Sequence, residues 1–207
     1  TGHNIANANT DGYSRQEIDL ASSSPYPYPY LNRPTTTGQV GTGVLVESIR
    51  RIRSEFLDGQ YRREASSLGE WQAKQDVLTE VEVLLGEPSD VGLRSLMDEF
   101  WVGFQELADY PESFAVRSAL LQKGEAVAGA FYQTYTQLDE TRVNLDASVR
   151  VRVAEVNELA VEIARLNEQI ARARGTGLST GDLEDKRDLL LDRLSRLTDV
   201  GIVHKDD

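Results

Sequence analysis

Cysteine is absent from this 207-residue chain, and histidine and methionine are scarce. The absence of cysteine excludes disulfides, thiol catalysis and cysteine-based zinc sites, so packing must supply the stability. His3 and His204 stand near opposite ends of the chain, and neither lies among residues with the spacing of metal ligands. No nucleophile elbow, zinc-binding helix or dinucleotide fingerprint occurs. We therefore assign no catalytic residue, metal site or cofactor, and we expect no enzyme.

Long apolar runs are also missing, since no stretch could span a bilayer and nothing resembles a cleavable signal peptide. Basic residues are in the minority, because 22 Lys and Arg residues stand against 34 Asp and Glu residues, giving a formal net charge of −12. Phosphate binding needs a basic surface, so this balance disfavours nucleic acid as a partner. The composition is that of a folded chain whose 40% hydrophobic content can supply a core.

The most informative segment covers residues 4–16 and reads NIANANTDGYSRQ. Asparagine and glycine tolerate positive φ, so this run, which closes at Gly12, can end a helix and reverse the chain. Tyr13 would then begin an extended segment. From spacing alone an ordinary turn is the commoner explanation, because Asn, Asp and Gly cluster in loops generally.

The same segment resembles the N-terminal motif of bacterial flagellar axial proteins, the family of rod, hook and hook-associated subunits. The family motif reads approximately N-I-A-N-x-N-T-x-G-Y-x-R-Q, and an amphipathic helix precedes it. Because this chain opens at Thr1 without such a helix, we expect it to be a fragment. The resemblance implies an assembly role for the matching residues, which are Asn4, Ile5, Asn7, Asn9, Thr10, Gly12, Tyr13, Arg15 and Gln16.

The segment after this motif is predicted to be extended. Residues 17–20 alternate polar and apolar side chains, as in a half-buried strand. Alternating proline and tyrosine at residues 25–30 then favour a polyproline II loop, which either docks a partner or covers the core as a surface flap. Residues 41–46 predict a turn into a short strand, and Ile49 and Ile52 lead into a helix.

Most of the remaining chain places apolar residues at alternating steps of three and four, which predicts helices with one buried face. Residues 54–85 form the first helix, with Ser54 as its expected N-cap. Residues 93–107 form a shorter helix that ends near Tyr110. Residues 112–172 form the most persistent helix, because proline is absent and only two glycines are candidate breaks.

A glycine-rich turn separates this helix from a last one, for which Asp182 is the expected cap. The carboxylates of residues 182–185 are expected on a solvated face. These two helices each carry an apolar stripe and are joined by a short loop, so they should pack against each other as an antiparallel helical hairpin. The predicted core seam comprises Leu57, Leu68, Trp71, Leu78, Leu145, Val149, Val156, Leu159, Ile163, Leu166, Ile170, Leu190 and Leu194.

Together these patterns predict a mainly α fold, an elongated antiparallel bundle of long helices over residues 54–199. Residues 1–53 hold the motif and a small extended or β segment that leads into the bundle. Residues 200–207 are an apolar extended stretch and predict the first strand of a further, β-containing domain.

The order of motif, extended loop, short strand and long helices resembles the hook-associated members of the family that join the hook to the filament. Hook and rod subunits share the motif but continue mainly in β-structure. Residues 41–62 and 183–200 carry this part of the resemblance. It implies a structural subunit that is exported through the flagellar type III apparatus to the cell exterior and acts by subunit contacts in a helical tube.

The partners that the resemblance implies are the hook protein, the second hook-associated protein and further copies of the chain in a ring or helical layer. For the full-length protein it also implies an export chaperone of the FlgN type. Two alternatives stay open. One is another axial subunit, such as a second hook-associated or flagellin-like protein. The other is a stand-alone helical adhesin or interaction module, for which the motif would be a coincidence.

Overall fold

The computed structural model describes residues 1–26, 40–86 and 92–203, and within these ranges the chain is mainly helical, as predicted. Most of the proline–tyrosine run and His204 lie outside the described residues. In chain order the elements are α1 (Gly2–Ala6), β1 (Gln16–Ser22), β2 (Val44–Arg51), α2 (Glu55–Leu85), α3 (Leu93–Asp109), α4 (Phe114–Gly175) and α5 (Gly181–Leu194).

The chain divides into two compact units. The first unit comprises Thr1–Ser66 and Val156–Asp207, and the second comprises Ser67–Glu155. The first unit therefore joins the motif, the hairpin and the start of α2 to the end of α4 and to α5. Residues from the two ends of the described sequence meet in it.

The β-hairpin of the first unit pairs β1 antiparallel with β2, from Gln16 opposite Arg51 to Ser22 opposite Val44. This confirms the two predicted strands, although Ile49 lies inside β2 rather than leading into a helix. A two-stranded sheet is marginal by itself, so other elements must hold it. The register sets Gln16, the last motif residue, directly beside Arg51.

The apolar core of the first unit is small. Its buried hydrophobic residues among the described ones come from α2, α4 and α5, and they are Ala65, Leu166, Ile170, Leu190 and Leu191. Burial of a leucine or isoleucine side chain contributes about 1.5–3 kcal/mol. Polar contacts are therefore needed as well to hold the motif and the β-hairpin in this unit.

The predicted core seam has to be corrected, because only part of it is buried in the chain. Leu166 is 4% exposed and Ile170 is 3% exposed, whereas Trp71 is 66% exposed. Heptad spacing defines an apolar face, but burial also needs a second element over that face. The half-buried seam residues are Val156, Leu159, Ile163 and Leu194. The exposed ones are Leu57, Leu68, Trp71, Leu78, Leu145 and Val149.

Two further details differ from the sequence predictions. Thr180 rather than Asp182 occupies the N-cap position of α5, because the helix begins at Gly181. Within the described residues Val200–Val203 form no strand, and residues 204–207 lie outside them. The helix predicted over residues 112–172 is confirmed as α4, and neither of its internal glycines interrupts it.

In the second unit, α3 and α4 approach each other closely at two glycines. A Cβ on Gly103 of α3 would lie 3.0 Å from Leu120 Cδ1, and one on Gly124 of α4 would lie 3.3 Å from Phe100 Cε2. Each helix thus presents a glycine to a large side chain of the other. Beside this contact Phe100, Leu120 and Gly124 help to line an open apolar cleft of about 440 Å³.

Glycine-to-alanine substitutions should separate two effects on the stability of the second unit, the crowding at these contacts and the gain in helix propensity. Gly129→Ala should stabilise the second unit by up to about 1 kcal/mol, because a Cβ at Gly129 meets no atom within 4 Å and alanine is the better helix former. Gly103→Ala should stabilise the unit less than Gly129→Ala, or not at all, because the new Cβ would crowd Leu120. Urea unfolding followed by the fluorescence of Trp71 and Trp101, both in this unit, measures the difference. Equal gains in both variants would contradict the close approach.

Candidate functional site

The side chain of Asn4 organises the turn of the motif. Its amide Nδ2 donates to the carbonyl of Gln16 at 2.9 Å, and its Oδ1 accepts from the Gln16 N–H at 3.0 Å and from the Tyr13 hydroxyl at 2.7 Å. Gly12 has φ of 77°, which confirms the predicted positive φ at the close of the turn. The hydrogen bonds of this one asparagine therefore connect α1 to the beginning of β1.

The remaining motif residues divide into internal contacts and an exposed set. Asn7 Nδ2 donates to the carbonyl of His3 at 3.1 Å, and Thr10 Oγ1 donates to Asn7 Oδ1 at 3.3 Å. Both bonds stabilise the end of α1 locally. The exposed motif residues are Ile5, Asn9, Thr10 and Arg15.

One face of α5 consists of Asp182, Asp185 and Leu189. We call it the motif face because the motif contacts it. Asp182 Oδ1 accepts from Gln16 Nε2 at 3.0 Å, and Asp185 Oδ2 accepts from the Ser14 N–H at 3.0 Å. A Cβ on Gly12 would lie 3.0 Å from Leu189 Cβ. The three residues are spaced by three and four, so they line one side of the helix.

A second face of α5 consists of Glu184, Asp188 and Asp192. We call it the arginine face because arginine side chains contact it. Arg51 from the end of β2 lies 2.8 Å from Glu184 and 2.8 Å from Asp188. Arg53 and Arg62 reach Asp192 at 3.5 Å and 2.7 Å. Arg51 also lies 2.8 Å from Asp185, so Asp185 belongs to both faces.

These ion pairs form a charged cluster that is mostly withdrawn from water and balanced in sign. Asp185 and Asp188 are each 5% exposed. Buried charges are tolerated only when they are paired and hydrogen-bonded, so removal of one partner is costly. Its five carboxylates are Asp58, Glu184, Asp185, Asp188 and Asp192. Its five guanidinium groups are Arg51, Arg53, Arg62, Arg174 and Arg187.

The cluster shifts the pKa values of Arg51 and Glu184. Burial by itself lowers the pKa of Arg51, but hydrogen bonds to Asp185 and Asp188 outweigh burial and raise it above the ordinary value. Burial opposes ionisation of Glu184 as well, yet hydrogen bonds from Thr180 and Arg174 and the charge of Arg51 lower its pKa below 4.5. Arg51 and Glu184 therefore keep their charges at neutral pH.

The lowered pKa of Glu184 predicts an acid-sensitive contribution to stability. Near pH 4.5 the folded state holds fewer protons at this carboxyl than the unfolded chain, so its contribution is present above that pH and lost as pH falls through the folded pKa. Glu184→Gln should lower the free energy of unfolding at neutral pH, and its difference from wild type should shrink below about pH 4.5.

Urea unfolding followed by circular dichroism across this pH range tests the effect. Glu158→Gln is the matched control, because Glu158 is an exposed glutamate on α4 in the same unit. A difference between wild type and Glu184→Gln that stays constant with pH would contradict the assignment.

The sequence pattern predicted a solvated face for residues 182–185, and the structure corrects this for Glu184 and Asp185. The pattern did not reveal Asp188, Asp192 or the three arginines that meet the arginine face. The available signal was the spacing of acids by three and four in α5, together with the alternate positions of Arg51 and Arg53. That signal is weak, because exposed helices carry the same spacing.

The contacts described at this site are hydrogen bonds, ion pairs and the close approach of Gly12 to Leu189. Among the described residues no group of three His, Asp or Glu side chains is arranged to hold a metal ion. No helix in the described ranges is long and apolar enough to cross a membrane. Fold and site define a mainly helical protein in which an N-terminal motif is held against a later helix.

Comparison with known proteins identifies the family. The family model described as the helical domain of flagellar hook-associated protein FlgK matches residues 78–207. Flagellar hook-associated protein 1 of Bacillus subtilis is 40% identical over 98% of this chain, and that of Salmonella typhimurium is 29% identical over 99%. The chain spans 40% and 36% of the length of these relatives. It belongs to the FlgK family, which is a structural family of the bacterial flagellum and not an enzyme family.

Proposed function

We propose that this chain is the part of a hook–filament junction subunit that makes lateral and axial contacts within a helical tube. The observation that carries the proposal is family membership over most of the chain, together with the motif of residues 4–16. On this proposal the chain has no catalytic role. Its work is to hold surfaces in fixed positions so that neighbouring subunits can bind them.

Exposed apolar residues of the second unit support a role in subunit contact. Leu68, Trp71 and Leu78 of α2 are each more than half exposed, as is Val149 of α4. Leu68, Trp71 and Leu78 are spaced by three and seven residues, so they share one side of α2, and apolar patches on a protein surface are typical of interaction sites. These residues were predicted to be core, and we now assign them to contacts made in the assembly.

The proposed partners follow from the position of a junction. They are the hook protein, the second hook-associated protein and further copies of the chain in a ring or helical layer. Export through the flagellar type III apparatus, an extracellular location on the flagellum and an export chaperone of the FlgN type complete the proposal. No observation on the described residues favours the alternatives, which are a second hook-associated or flagellin-like subunit and a stand-alone helical adhesin or interaction module.

The experiment uses the full-length protein with preformed hooks from the same cells, and electron microscopy records where it binds. We expect binding restricted to the distal hook end. The double variant Trp71→Ala with Leu78→Ala should reduce the bound fraction, because both side chains are exposed and their loss leaves the fold intact.

The matched control replaces two exposed polar residues on another side of the same helix, Gln72→Ala with Asp76→Ala. It should bind like wild type. Binding along the whole hook, or no binding by a folded full-length protein, would contradict the junction assignment. Equal loss in both double variants would show that the apolar residues of α2 are not the contact surface.

A further inference from the structure

The carboxylate of Asp185 serves two elements that are far apart in the sequence. Its Oδ2 accepts from the backbone N–H of Ser14, at the end of the motif, at 3.0 Å. Its Oδ1 accepts from Arg51 Nη1 at 2.8 Å. Ser14 and Asp185 are 7% and 5% exposed, so water does not readily replace either bond.

The rest of the interface between the motif and α5 is mainly polar. Gln16 Nε2 and His3 Nε2 lie 3.0 Å and 3.1 Å from Asp182 Oδ1, and both of these contacts are exposed. One apolar contact is the close approach of Gly12 to Leu189. Exposed polar contacts contribute little because solvent competes for them. The buried bond from Asp185 to Ser14 is therefore the contact best suited to hold the turn.

We propose that Asp185 is a positioning residue that docks the motif on α5, so that the geometry of the motif depends on this one carboxylate as well as on its own turn residues. This inference goes beyond the proposed function. Its test is made on the protein in solution, without hooks. A negative result in the hook-binding experiment and a negative result for the docking of the motif on α5 can therefore be told apart.

Asp188 provides a closely matched control. It has the same charge and the same exposure as Asp185, and its Oδ2 lies the same 2.8 Å from Arg51 Nη1. The described contacts of Asp188 are with arginines, whereas Asp185 also binds the Ser14 N–H. Asp185→Asn and Asp188→Asn therefore remove the same charge from the cluster, but of the two residues Asp185 is the one that accepts from the Ser14 N–H.

Amide hydrogen exchange at single-residue resolution on both variants tests the proposal. Ser14 and Arg51 use different oxygens of Asp185. Asparagine replaces one of these oxygens with an NH₂ group, which cannot accept, so the two bonds cannot both be kept in their places. We expect the Ser14 amide to exchange at least about tenfold faster in Asp185→Asn than in Asp188→Asn. Equal rates in the two variants, or an unchanged rate in Asp185→Asn, would overturn the proposal.

A charge-conserving variant keeps the test decisive if Asp185→Asn does not fold. Asp185→Glu retains the negative charge of the cluster but moves the carboxylate outward by one methylene group. We expect faster exchange at Ser14 while the amides in the middle of α5 keep their protection. Protection of Ser14 equal to wild type in this variant would show that the exact placement of Asp185 is unimportant and would overturn the proposal.

Discussion

Arg51→Met should lower the free energy of unfolding of the first unit by about 3–5 kcal/mol, the usual cost of leaving buried charges without their partner. Arg51 contacts Glu184, Asp185 and Asp188, each at 2.8 Å. Methionine preserves much of the side-chain volume, so the loss reports mainly on the three carboxylates. Urea unfolding followed by circular dichroism measures it.

The neighbouring Arg50 supplies the control. Its side chain is 62% exposed, compared with 14% for Arg51, and it pairs with Glu17 and Asp19 across the hairpin. Exposed ion pairs contribute at most about 1 kcal/mol, so Arg50→Met should have a small effect. Arg51→Lys should restore little, because an ammonium group cannot reproduce the planar guanidinium geometry. Equal effects of Arg50→Met and Arg51→Met would contradict the buried cluster.

Gly12→Val should be the second most damaging change, at about 2–4 kcal/mol, because two penalties add. Gly12 has φ of 77°, a conformation that β-branched residues avoid. The new Cβ would also lie 3.0 Å from Leu189 Cβ, an atom fixed by the α5 backbone. The variant should therefore unfold at lower urea concentration, and at the hook it should assemble poorly because the motif is displaced.

Alanine variants separate the two penalties. Gly177 has φ of 73° and no atom within 4 Å of its Cβ position, so Gly177→Ala experiences the backbone strain alone. Gly12→Ala should be more destabilising than Gly177→Ala by the cost of the contact with Leu189. Leu189→Ala in the Gly12→Ala background keeps Cβ but removes Cδ2 and Cδ1, which lie 3.3 Å and 3.4 Å from the same position, so it should recover only a small part of that difference. Identical effects at the two glycines would show that the motif does not press against α5.

The sequence determines local features of this protein well. Periodicity and the absence of proline located α2 and α4 to within a few residues, because helix formation depends on neighbours three and four positions away. The positive φ at Gly12 followed from the turn chemistry of its neighbours. The motif could also be recognised, because its information lies in consecutive residues.

Burial and charge pairing were decided only by the tertiary structure. The heptad positions Trp71 and Leu166 look alike in sequence, yet one is 66% exposed and the other 4%, because burial depends on whether another element covers the position. Likewise, Asp185 on its helix resembles any solvated carboxylate. It is buried because the fold brings Ser14 and Arg51 to it from the other end of the chain. Local spacing fixes which face a residue occupies, whereas its environment is set by long-range contacts that have no local signature.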